Sequence, residues 1–168
     1  LRERKKGEEL SFPSMTKLYQ RMRAQERYAE AVATISRVTK SGKDMEAYFK
    51  VEWEKTGFKG GTATFSVDGT CDVNLSRLGV SDLRPLSGLP IAKLNIEHNP
   101  ALADLGPLKG MPLTLLKCDV TKVSDLSPLK GMPLTSLSVY GTPVSDLTPL
   151  RGMPLAFLWA NETQVSDL

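Results

Sequence analysis

Apolar and polar positions recur in a fixed order through the last 90 or so residues of this chain. Val123-Ser-Asp-Leu-Ser-Pro-Leu-Lys-Gly-Met-Pro-Leu returns 21 residues later as Val144-Ser-Asp-Leu-Thr-Pro-Leu-Arg-Gly-Met-Pro-Leu, and starts again at Val165. Upstream, Leu102-Ala-Asp-Leu-Gly-Pro-Leu-Lys-Gly-Met-Pro-Leu stands 21 residues before Val123, and Val80-Ser-Asp-Leu-Arg-Pro-Leu-Ser-Gly-Leu-Pro-Ile stands 22 before Leu102. A short alternating segment follows each block: Leu94-Asn-Ile96, Leu116-Lys-Cys118, Leu137-Ser-Val139 and Leu158-Trp-Ala160. Period-2 alternation predicts half-buried strands there. About 20 residues separate one strand from the next, too many for a hairpin, so the strands are predicted to be parallel. Each crossover holds two prolines, such as Pro128 and Pro133, which predicts 3₁₀ turn or coil rather than a full helix.

Val123, Leu126, Leu129, Met132, Leu134, Leu137 and Val139 would then point inward within one coil. Each buried side chain stabilises by roughly 1.5–3 kcal/mol before entropy is counted. No coil buries both of its own faces, so stability must come from stacking. Gly110, Gly131 and Gly152 are expected at positive-φ turns after the convex segment. Asn99, Thr121, Thr142 and Thr163 follow the strands, where a polar side chain can bond the backbone of the neighbouring coil.

A leucine-rich period of roughly 20–29 residues is the signature of a leucine-rich repeat solenoid. The Leu-x-Ile-x-x-Asn frame ending at Asn99, with Val-Ser-Asp-Leu-x-Pro-Leu, resembles the short bacterial repeat of the internalin type across about residues 57–168. Similar arrays with Gly-Met-Pro-Leu occur in large environmental-bacterial proteins, some carrying a serine/threonine kinase domain. The resemblance implies binding through the concave face and no catalytic residues. A second reading is a regulatory or sensor segment of a larger bacterial serine/threonine kinase.

The fold expected is an α/β solenoid, with parallel strands on the concave face, 3₁₀ or coil on the convex face, and an N-terminal helix-and-hairpin cap. Residues 1–13 are read as a frayed charged terminus and 14–56 as two helices. Met15, Leu18, Met22, Ala29, Val32 and Ile35 fall at helical spacing over 14–39. A second helix is predicted from Asp44 to Lys55, ended by Gly57, although Phe49, Val51 and Trp53 also alternate as a strand would. Residues 57–78 form a hairpin cap about Asp68-Gly69, whose second strand is the first rung. Residues 79–168 are the repeats, and stopping four residues into one suggests a piece of a longer protein.

Charge changes this picture little. The formal net charge of +3 comes from the first 60 residues, which hold 14 basic and 9 acidic side chains. Lys17, Arg21, Arg23, Arg27, Arg37 and Lys40 raise nucleic-acid binding as a third, weaker reading. Glu26 and Glu30 interrupt them and no stacking aromatics accompany them, which favours a solvated helix face. No apolar run nears the roughly 18 residues of a membrane span. Two cysteines make no disulfide framework; Cys118 takes a core strand position, and Cys71 has no evident partner.

Candidate chemistry is sparse. Asp82, Asp104, Asp125, Asp146 and Asp167 form a column, one per coil, expected to accept backbone N–H bonds rather than to hold metal. His98, the single histidine, lies at no ligand or triad spacing and is read as a solvated loop residue. No phosphate loop or kinase catalytic loop is present, and no cofactor is implied.

The candidate site is the concave face. By register it comprises Asp72, Asn74 and Ser76; Lys93, Asn95 and Glu97; Leu115, Lys117 and Asp119; Ser136, Ser138 and Tyr140; and Phe157, Trp159 and Asn161. Strands about 4.8 Å apart make this face about 20 Å long. It grades from polar to aromatic, and Leu115, Tyr140, Phe157 and Trp159 would form an apolar patch of the kind that marks a protein partner. A monomer, or part of a longer chain, is expected.

Overall fold

A computed structural model describes residues 50, 53, 54, 56–66 and 70–166. The expected helix over 14–39 lies outside the described residues, as do the Asp68-Gly69 turn and Asp167. So does most of the second helix, of which Lys50, Trp53 and Glu54 carry helical backbone.

Six strands form one sheet in sequence order: β1 (Thr62–Phe65), β2 (Cys71–Asn74), β3 (Ile91–Asn95), β4 (Leu115–Lys117), β5 (Ser136–Ser138) and β6 (Phe157–Trp159). β1 and β2 pair antiparallel, Ala63 opposite Val73, and every later pairing is parallel. Leu94, Leu116, Leu137 and Leu158 lie side by side across the ladder. Hydrogen bonding runs beyond the strands proper: His98 N donates to Asp119 O at 2.8 Å, Val120 N to Tyr140 O at 2.9 Å and Gly141 N to Asn161 O at 3.0 Å. Each crossover carries one 3₁₀ turn, at Arg84–Leu86, Gly106–Leu108, Ser127–Leu129 and Thr148–Leu150, with its proline in the first turn, where a missing N–H costs nothing.

The core is a set of columns, one residue per coil. Leu86, Leu108, Leu129 and Leu150 line the convex wall; Leu94, Leu116 and Leu137 line the strand wall; Ile96, Cys118 and Val139 sit beyond them, all buried. Cys71 and Cys118 are free, buried thiols. Burial, with a smaller push from the Asp72 charge, raises the Cys71 thiol to about 12; Cys118 is raised for the same reason, with Asp119 adding to it.

The 22-residue interval between Val80 and Leu102 is absorbed at Pro100–Ala101, where Leu102 N donates to Asn99 O at 2.9 Å and the core columns stay in line. Gly88, Gly110, Gly131 and Gly152 take positive φ after the convex segments, and no Cβ at Gly131 or Gly152 would meet another atom. Backbone conformation rather than close packing therefore selects glycine at these two positions.

A second left-handed column has no sequence signature. Arg77, His98, Val120, Gly141 and Glu162, one per coil just past the concave strand, have φ of 61°, 56°, 52°, 63° and 54°. Four of the five carry a Cβ, and Val120 is β-branched, the side chain least suited to this region.

The polar positions after the strands divide. Asn99 is buried; its amide donates to Ile96 O at 2.8 Å and across the stack to Leu75 O at 3.0 Å, while its oxygen accepts from Val80 N at 2.9 Å. Thr121, Thr142 and Thr163 instead donate to Cys118 O, Val139 O and Ala160 O, each three residues back in their own coil. The expectation of bonds to the neighbouring coil holds for Asn99 and fails for these three threonines, whose hydroxyls turn back to a carbonyl of their own coil. Thr114 and Thr135, ahead of the strands, supply cross-coil bonds of their own, donating to Ala92 O at 3.0 Å and Thr114 O at 3.1 Å.

Candidate functional site

Parallel register sets the concave residues in three columns. Asp72, Lys93, Leu115, Ser136 and Phe157 form the first; Asn74, Asn95, Lys117, Ser138 and Trp159 form the second. Ser76, Glu97, Asp119, Tyr140 and Asn161 continue the strands as the third.

Chemistry differs along the ribbon. In the first coils Lys93 Nζ lies 2.9 Å from Asp72 Oδ2, closing that ion pair. The Asn74 and Asn95 side-chain oxygens accept from Ser76 N at 2.9 Å and Glu97 N at 3.0 Å, so both amides are held by their own turns. Leu115 is half-buried, less exposed than the sequence suggests. Asp119 bridges coils: one carboxylate oxygen accepts the Tyr140 N–H at 3.0 Å and the Ser138 hydroxyl. Ser138 is thereby drawn down to 6 % exposure. The Glu162 side chain beside the Tyr140 hydroxyl raises its pKa.

At the far end Tyr140, Phe157 and Trp159 are 38 %, 59 % and 47 % exposed. The Phe157 and Trp159 rings stack at 5.7 Å and 12°. Lys117, Asp119, Ser138, Tyr140, Trp159 and Asn161 line an open hollow of about 290 Å³. A second, of about 320 Å³, covers the earlier strands between Thr62 and Lys117. Lys117 is the one side chain common to both.

Outside this ribbon the candidates are structural. Asp82, Asp104, Asp125 and Asp146 accept the N–H two residues on, from Arg84, Gly106, Ser127 and Thr148 at 2.9, 2.7, 2.8 and 2.7 Å. Hydrogen bonds hold three of these carboxyls below their ordinary range: Asp82 through the Arg84 side chain, Asp125 through the Ser127 N–H, and Asp146 through the Thr148 hydroxyl. No group of three metal-ligating side chains exists among the described residues.

His98 departs from the solvated loop residue expected of it. It is half-buried, its Nε2 lies 3.3 Å from Arg77 Nη2, and its Nδ1 is shielded without a partner. An arginine can only donate, so Nε2 is the accepting nitrogen of this contact. The left-handed turn at His98, invisible in the sequence, folds the ring against the previous coil. No helix among the described residues is long and apolar enough to cross a membrane.

A parallel ladder of short strands, each crossover carrying a single 3₁₀ turn, is a leucine-rich repeat architecture that matches an internalin-like solenoid. No protein-family profile matches the chain, and no curated protein matches it by sequence. Among solved structures it is similar to an internalin (inlF) from Listeria monocytogenes, with 34 % identity and a TM-score of 0.51 over 54 % of this chain. The match spans 28 % of that internalin's chain.

Proposed function

We propose that this chain is a non-enzymatic protein-interaction module that holds a partner on its concave ribbon. One observation carries the reading: the core and convex columns repeat from coil to coil, while the concave columns change along the stack, Asn74 and Asn95 being their one repeated pair, and end in exposed, stacked Phe157 and Trp159. Folding requires the recurring positions and leaves the others free for recognition. Likeness to an internalin supports a binding fold rather than one built around a reaction.

A photo-crosslinking residue tests this directly. Placed at Phe157, on the ribbon, it captures the partner, and Trp159→Ala reduces the yield while leaving the melting curve near wild type. Placed at Lys130, on the convex side, it captures nothing. Capture from Lys130 and not from Phe157 overturns the proposal.

A further inference from the structure

We infer that the ribbon reads a polypeptide segment with a carboxylate three residues from an apolar side chain, the carboxylate meeting Lys117 and the apolar group resting on Trp159. This rests on the concave-face reading and adds the chemistry of the partner. Most charged and hydrogen-bonding groups along the ribbon are already engaged. Lys93 is paired with Asp72, Asp119 is held by Ser138 and Tyr140, and the Asn74 and Asn95 amides are held by their own turns. Lys117 is exposed and has no ion pair among the described residues, and it stands where the two hollows meet. An incoming carboxylate therefore finds one open cation at the centre of the ribbon.

Spacing supplies the second half. Lys117 and Trp159 share a column two strands apart, Ser138 lying between them. Two strand spacings are about 9.6 Å. A polyproline II chain has three residues per turn and rises 3.1 Å per residue, so every third side chain faces the same way at about 9.3 Å. A segment in that conformation, laid across the strands, presents one side chain to the ammonium and the next equivalent one to the indole. Aromatic-lined grooves suit such chains, because their backbone is already extended and loses little entropy on docking. The Phe157 ring, stacked 5.7 Å from Trp159, holds the indole in place for that contact.

The chain has two tryptophans, so Trp53→Phe leaves Trp159 as the sole indole reporter. Acetylated, amidated hexapeptides Pro-Glu-Pro-Pro-Phe-Pro and the reversed order Pro-Phe-Pro-Pro-Glu-Pro are titrated against its emission in low salt. One order is expected to give a saturable change, about fivefold tighter than its Gln-for-Glu counterpart. That preference disappears in Lys117→Gln and in high salt. Absence of saturation with either order, equal binding of the Glu and Gln peptides, or a preference that survives Lys117→Gln overturns the inference. So does saturation by maltohexaose or oligo-dT in the absence of any by the peptides. If the peptides fail while Phe157 still captures the partner, the specificity falls and the binding face stands. Capture from Lys130 in place of Phe157 removes the binding face itself.

Discussion

The interior of this solenoid and its concave surface are built from the same coils, yet one recurs and the other does not. Leu94, Leu116 and Leu137 fill one interior column, whereas Asn74, Asn95, Lys117, Ser138 and Trp159 fill the neighbouring concave one. Adjacent residues on a strand thus face opposite demands. An inward side chain must match the coil on either side of it, while an outward one is less constrained by packing and can vary. Recurrence marks what the stack needs, and departure from it marks where the stack leaves room.

The strongest way to break that contrast is to put concave chemistry inside. Leu137→Asp places an unpaired charge at a position with no exposure. It should cost more than about 4 kcal/mol and abolish the cooperative urea transition. A variant melting within a few degrees of wild type would mean that Leu137 is not interior.

A milder break acts on the one coil whose polar residue differs from the others. Asn99→Thr installs the residue that the later coils use, but removes the donation to Leu75 O and the acceptance from Val80 N. The expected loss is about 1–3 kcal/mol in denaturant unfolding, because Val80 N and Leu75 O are left buried without partners. An unchanged midpoint would show that the cross-coil bonds are dispensable.

The convex carboxylates give the contrast a pH dependence. Asp82, Asp125 and Asp146 titrate below the ordinary carboxylate range in the folded chain. Their contribution is therefore present above the unfolded carboxylate value near pH ~4, and is lost as pH falls through the lowered folded values. Urea midpoints should drop on that acid limb, and drop less steeply when all three are made Asn. Parallel profiles would place the acid sensitivity elsewhere.

The smallest effect sharpens the comparison by opposing it. The left-handed column of Arg77, His98, Val120, Gly141 and Glu162 varies in side chain as the concave face does, yet a single backbone shape recurs along it. Val120→Gly relieves a β-branched residue at φ 52° and should stabilise by a few tenths to about 1 kcal/mol, the strain relieved slightly exceeding the added chain entropy. Destabilisation would show that Val120 contributes packing that outweighs its strain. Side-chain variability therefore also occurs where one backbone shape recurs.

Much of the fold was legible because a period converts sequence into geometry. The spacing of Leu116, Leu137 and Leu158 gave parallel strands, their register and the concave columns, and Pro128 and its equivalents excluded a convex helix. What escaped were contacts between coils. That Asp119 is occupied by Ser138 and Tyr140, or that Asn99 reaches Leu75 while Thr121 turns back on Cys118, depends on distances across about 5 Å of stack and on side-chain length. The left-handed column escaped for another reason: five unlike side chains share one backbone shape, so composition gives no cue. At the site, Phe157 and Trp159 were readable as outward residues, whereas the isolation of Lys117 emerged only once its neighbours' partners were known.

Cys71 and Cys118 give the array two internal clocks. A thiol raised to about 12, as Cys71 is, or shielded as Cys118 is, does not react with an aromatic disulfide reagent while its rung is shut. Labelling must wait for an opening, so its rate counts openings at the first rung and at the third separately. Single-cysteine versions would reveal whether the rungs part together or in succession, with no probe added from outside.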